Sequence, residues 1–190
     1  MSQTSLLFCA VALVVACAPS SDESATTDST ASRPAATPAA PVPTSSAWQV
    51  RPDGADPLRI GMTAAEARRV LSLAAAPASQ GCSYLAGAPE SALHAFVMLT
   101  NDTVVRIDVR DSVLATAEGA RVGDTEGRLK QLYGDRVSVQ PHKYLPNGHY
   151  LVVRAPGDAA NRIVFETNGT VVTTYRAGRR PEVENVEGCG

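Results

Sequence analysis

Residues able to do chemistry are sparse in this chain of 190 residues, and the densest group lies between Pro141 and Tyr150. That stretch reads Pro141-His142-Lys143-Tyr144-Leu145-Pro146-Asn147-Gly148-His149-Tyr150, with two histidines, two tyrosines and one lysine. Tyrosine gives rigid contact area with a polar tip, so His142, Lys143, Tyr144, His149 and Tyr150 are candidate partner-binding residues. The same pattern also fits a sheet edge with ordinary cross-strand aromatic pairs. A zinc site fits poorly. With a turn at Asn147-Gly148, His149 faces Pro146 and His142 faces Val153, so the rings stand apart with no third ligand.

Other chemistry is thinner. His94 sits in a strand pattern and reads as structural. Glu182, Glu184 and Glu187 alternate in an extended tail and read as a solvated face; a general acid needs a carboxyl that is buried and shifted. The chain has no G-x-S-x-G, S-x-x-K, H-E-x-x-H or P-loop motif. No catalytic residue, metal or cofactor is expected.

The chain must place these groups with a modest composition. It is 44% hydrophobic and 19% charged, with a formal net charge of −2. One globular domain or two small ones fit, with polar sequence attached. The near-neutral balance argues against a nucleic-acid partner. Leu6 to Ala16 is an unbroken apolar run, too short to span a bilayer and right for a signal-peptide core. It ends Val14-Val15-Ala16-Cys17, which resembles a bacterial lipobox. The resemblance implies removal of residues 1–16 and lipidation of Cys17, although Met1 to Ser5 holds no Lys or Arg. Ala18, rather than Asp, follows the cysteine, which by the same resemblance favours the outer membrane over the inner. Residues 17–47 then form a tether of Ala, Pro, Ser and Thr that cannot bury enough apolar surface to fold. Its r.m.s. reach is about 30 Å.

The remainder, from Trp48 onward, holds equal numbers of acids and bases, 16 of each. It reads as a duplication over residues 48–118 and 119–190. Ile60-Gly61-Met62-Thr63 precedes Ala67, Val70 and Leu71, and Val122-Gly123-Asp124-Thr125 precedes Leu129, Leu132 and Tyr133. Each spacing predicts one apolar face of a short helix. Thr63 and Glu66 predict a capping box, and Thr125 caps the second copy. Phe96 to Val109 predicts a hairpin turning at Asn101-Asp102, pairing Met98 with Val105 and Phe96 with Ile107. Ile163 to Tyr175 predicts another at Asn168-Gly169, pairing Phe165 with Val172 and Ile163 with Thr174. A third hairpin is expected from Val137 to Tyr144 and His149 to Arg154.

A Gly-x-Thr helix start followed by a small antiparallel sheet resembles the SmpA/OmlA small outer-membrane lipoproteins. It is also similar to the tandem domains of the beta-lactamase-inhibitor-like fold. The resemblance spans about residues 58 to 180. It implies an α+β fold of two tandem repeats, each a short helix packed on a small antiparallel β-sheet, and assigns no functional residue.

After export and lipidation, Cys82 and Cys189 remain as one pair. In an oxidising compartment such a pair reads as a disulfide. No CxxC or histidine cluster supports a metal or redox reading. The expectation is a noncatalytic bacterial envelope lipoprotein, held to the membrane by its N-terminal lipid, with its head in the periplasm or at the surface. It would present a protein-binding surface to an envelope protein. Two alternatives remain: an inhibitor of a secreted or periplasmic enzyme, and a cryptic enzyme or glycan-binding protein.

Overall fold

Alternating apolar residues dominate the chain after Trp48, and they build strands. A computed structural model describes residues 48–74, 80–85 and 93–189. The 1–16 signal peptide, Cys17 and the 17–47 tether lie outside the described residues. The elements run β1 (Gln49–Arg51), β2 (Gly54–Ala55), β3 (Leu58–Arg59), α1 (Ala64–Val70), β4 (Cys82–Leu85), β5 (Phe96–Thr100) and β6 (Thr103–Val109). They continue with β7 (Ala115–Thr116), α2 (Glu126–Tyr133), β8 (Val137–Pro141), β9 (His149–Ala155), β10 (Asp158–Thr167) and β11 (Val172–Arg179). Short 3-10 turns cover Gly134–Arg136 and Glu182–Glu184.

The expected α+β tandem of helix-on-sheet repeats is overturned. The fold is mostly β, and its strands form one seven-stranded sheet in the order β4-β5-β6-β11-β10-β9-β8. A second sheet of four very short strands, β3-β2-β1-β7, adds to it. The physical reason is that β6 and β11 pair directly, Ile107 with Ala177 and Arg106 with Gly178. That pairing leaves no interior sheet edges for two separate sheets. A Cβ on Gly178 would sit 2.3 Å from the Val105 carbonyl oxygen, so only glycine allows this approach.

One face of the large sheet is apolar in rows that cross the strands. Val97, Ile107, Ala177, Ile163 and Val153 form one row, and Val109, Tyr175, Phe165 and Leu151 form the next. All are buried, and they share one core with Val50, Leu58, Ala67, Leu129 and Tyr133. The helices are about two turns long and would be marginal alone. Their starts are instead hydrogen-bonded to the hairpins. Gly61 N donates to Val104 O and Val104 N to Met62 O, both at 2.8 Å. Gly123 N and Val172 N make the same pair of bonds to Val172 O and Asp124 O. The Thr63–Glu66 capping box is present, and Thr125 Oγ1 accepts from Arg128 N.

Three expected registers change. A bulge between Met98 and Leu99 sets Met98 opposite Arg106 and Phe96 opposite Asp108. The β10–β11 loop spans Asn168 to Val171, so Phe165 faces Tyr175 and Ile163 faces Ala177. Pro141 pairs with His149, so the third hairpin turns over a longer loop and the two histidines stand close along the ladder. His94 precedes β5 rather than lying in it. Glu182–Glu184 is a 3-10 turn rather than an extended tail.

Cys82 and Cys189 form a disulfide, with Cα atoms 5.4 Å apart and a sequence separation of 107. Closing a loop of that length stabilises by at most about 4–5 kcal/mol in the chain-entropy picture. Cys189→Ser, or reduction of the wild type, is expected to lower the urea-unfolding free energy by a few kcal/mol. Identical unfolding curves with and without reductant would show that the linkage constrains little.

Candidate functional site

The second face of the seven-stranded sheet is polar, and the candidate site is built on it. Arg106 and Asp108 alternate along β6, so both side chains point to this face. Arg176 on β11 lies opposite Asp108, and Glu166 on β10 lies opposite Thr174. Arg106 is 3% exposed and Arg176 is 5% exposed, so both charges need partners.

They find them in the 181–189 segment, which lies across this face as a strap. Arg106 Nε and Nη2 grip the Asp108 carboxylate at 3.0 and 2.9 Å. Arg106 Nη1 donates to the carbonyls of Glu182 and Asn185 at 2.8 and 2.7 Å, and Nη2 donates to Tyr84 Oη at 3.3 Å. All five donors of the guanidinium are thereby used. Arg176 Nε donates to Val183 O at 2.7 Å, and its Nη1 pairs with Glu166 at 3.1 Å. Burial first, and then the Arg106 charge, draw the Arg176 guanidinium below its ordinary pKa. Val183 anchors the strap from its side, packed with Tyr150, Val152 and Val164. A polar cavity of about 360 Å³ remains between the strap and the sheet.

The network continues into the loop after β8. Glu166 Oε1 accepts from His142 Nε2 at 2.9 Å. His142 Nδ1 accepts from the amides of Tyr144 and Leu145 at 3.0 and 3.1 Å. An Nδ1 that accepts twice fixes the tautomer, so the proton sits on Nε2. The His142 ring stacks on Tyr150, with centroids 4.6 Å apart. Lys143 Nζ pairs with Glu187 at 2.6 Å, and Tyr144 Oη donates to the same carboxylate oxygen. These two hydrogen bonds hold the Glu187 carboxyl at a pKa of about 2. Tyr144 and Leu145 themselves are 58% and 44% exposed.

Four of the five residues singled out in sequence, His142, Lys143, Tyr144 and Tyr150, thus meet on one face with the strap. His149 does not join them. Its Nδ1 lies 2.8 Å from Glu126 Oε1 on α2, on the opposite face, where Thr167 Oγ1 donates to the same oxygen at 2.6 Å. Burial opposes ionisation of Glu126, but these hydrogen bonds from Thr167 and His149 keep its pKa below the ordinary carboxylate value. The two histidines therefore serve separate carboxylates. Of the three acids read as a solvated face, Glu184 pairs with Arg162 and Arg180, and Glu187 pairs with Lys143. Arg106, Asp108, Glu166 and Arg176 were not singled out in sequence. Charged residues at alternate positions inside an apolar strand were the signal for them.

No family model matches this chain, and no curated protein matches it. Among solved structures, the uncharacterized protein YfeY from Escherichia coli matches at 13% identity with a TM-score of 0.44, covering 69% of this chain and 99% of that one.

Removing one partner of the Arg106–Asp108 pair would leave the other buried and unmet. Arg106→Met is expected to cost about 3–5 kcal/mol and to strip hydrogen-exchange protection from residues 182–186. Arg106→Met/Asp108→Leu should lose less than the single variant. A double variant no more stable than Arg106→Met would count against the pair as the strap's anchor.

Proposed function

We propose that this protein is a noncatalytic lipoprotein of a bacterial envelope whose head offers the 142–150 loop to a protein partner. The observation that carries this reading is an apolar pair that is both exposed and pinned. Tyr144 and Leu145 face solvent, yet their amides bond to His142 and the Tyr144 hydroxyl bonds to Glu187. An aromatic side chain held in place before binding loses little conformational freedom on contact. The lipobox-like Val14-Val15-Ala16-Cys17 supports anchoring by lipid, and the tether composition supports a head held off the membrane. The Gly-x-Thr helix starts, which resemble those of SmpA/OmlA lipoproteins, support an outer-membrane setting.

One experiment reads both halves of the proposal. The full chain is expressed in an enveloped bacterium with a photoreactive residue at Leu145 or, as a control, at exposed Ser112. A discrete protein adduct is expected from position 145 alone, and Tyr144→Ala should diminish it. Cys17→Ser should move the protein from the membrane pellet to the soluble fraction. Equal labelling from both positions, or a Cys17→Ser variant that stays in the pellet, would overturn the corresponding half. An adduct with a secreted hydrolase that the chain inhibits would replace this reading with the inhibitor alternative.

A further inference from the structure

Two pins hold the exposed tip of the 142–150 loop, and mild acid acts on them differently. One is Glu187, which accepts from Lys143 Nζ and Tyr144 Oη. Those bonds hold its carboxyl at a pKa of about 2, so it stays ionised well below neutral pH. The other is His142 Nδ1, which accepts from the amides of Tyr144 and Leu145 at 3.0 and 3.1 Å. Accepting needs the nitrogen lone pair, so this pin exists only while the imidazole is neutral. Histidine is the side chain that changes charge between about pH 5 and 8.

The surroundings of the ring decide what gives way when it takes a second proton. The His142 side chain is 3% exposed. On β10, Glu166 Oε1 accepts from Nε2 at 2.9 Å, and a charged ring keeps that bond. On β11, Arg176 holds the other Glu166 oxygen at 3.1 Å. On β9, Tyr150 stacks on the ring. The neighbouring Lys143 charge is met by Glu187 of the strap. Glu166 and Tyr150 therefore keep the charged ring where it is. A proton on Nδ1 then points at two N–H groups, donor against donor. Among the described residues, Nδ1 meets no partner besides these two amides. The ring stays and the loop backbone must move.

We propose that the loop is an acid-released display: protonation of His142 at Nδ1 frees the amides of Tyr144 and Leu145 and takes the tip out of the geometry it offers near neutral pH. The proposal rests on the reading of this loop as the partner-binding surface. The proton comes from solvent and returns to it as the pH rises, so the change is reversible. Losing two hydrogen bonds of ordinary strength shifts the closed-to-open ratio of the tip by about tenfold or more. The side chains of Lys143 and Tyr144 remain tied to Glu187, so the release is confined to the backbone at 144–145 and leaves the strap in place. The other histidines gain charge elsewhere, His149 against Glu126 on the opposite face and His94 against Asp111 ahead of β5.

The test uses the full-length Cys17→Ser chain with its Cys82–Cys189 disulfide formed. The ring nitrogens of His142 are followed by NMR between about pH 8 and 5. Exchange of the Tyr144 and Leu145 amides is measured alongside, relative to the intrinsic rate at each pH. The Nε2–H tautomer is expected at the upper end. Protection of both amides should fall about tenfold as the ring titrates, while protection across the β10–β11 pair holds. His142→Asn places a side-chain oxygen near the Nδ1 position that accepts throughout this range, so its loop protection should not change with pH. An Nδ1–H tautomer near neutral pH, a ring still neutral at the acid end, protection that ignores the ring's titration, or the same fall in His142→Asn would each overturn the switch. The photoreactive residue at Leu145 reads the display itself. Its adduct should weaken at the acid end in the wild type, and an adduct equally strong at both ends would also overturn the switch. No adduct at any pH would remove the partner reading, and the NMR result would then decide the switch by itself.

Discussion

Burying the guanidiniums of Arg106 and Arg176 on a sheet face would cost on the order of several kcal/mol each if their donors were left unmet. The carboxylates of Asp108 and Glu166 meet part of that demand from within the sheet. Three backbone carbonyls of the strap, from Glu182, Val183 and Asn185, meet much of the rest. The strap's position is therefore set largely by main-chain oxygens, with Val183 as its apolar anchor. Without the strap, water would have to meet the guanidinium donors, and the apolar patch of Tyr150, Val152 and Val164 would be left exposed.

The same constraint reaches the candidate binding loop. Arg176 holds one oxygen of Glu166, and His142 holds the other. His142 in turn fixes the amides of Tyr144 and Leu145. The side chains exposed at the tip are thus connected to the sheet face through four groups in sequence. Glu187 closes the circuit from the strap side through Lys143 and Tyr144. The loop and strap order one another, which explains how a surface loop with a proline and a glycine holds one geometry.

Local chemistry was legible in the sequence wherever it depended on neighbours within four residues. The Thr63–Glu66 capping box is such a case, as is the turn at Asn101 and Asp102, both with positive φ. The disulfide was legible for another reason, since counting cysteines suffices. Strand register was not legible, because one bulge at Met98/Leu99 reverses which face of the partner each later residue meets. The single continuous sheet was hidden too. It depends on β6 meeting β11 across about seventy residues, and only the small side of Gly178 hints at that approach. The buried arginines were not singled out in sequence, because type alone says nothing about a strap that covers them.

The sheet order carries a consequence for how the protein forms and opens. On one side of the β6–β11 pair, β4, β5 and β6 pair with neighbours close in sequence; on the other, β8 to β11 do the same. Contacts of short sequence separation close early and cheaply, while long-range ones close late. The β6–β11 boundary is therefore the late step in assembly and the natural line of sub-global opening. The strap lies across that boundary, held by Arg106 from β6 and Arg176 from β11. It acts as a suture over the slowest-closing line in the molecule, so fluctuations that part the two groups of strands must first lift it.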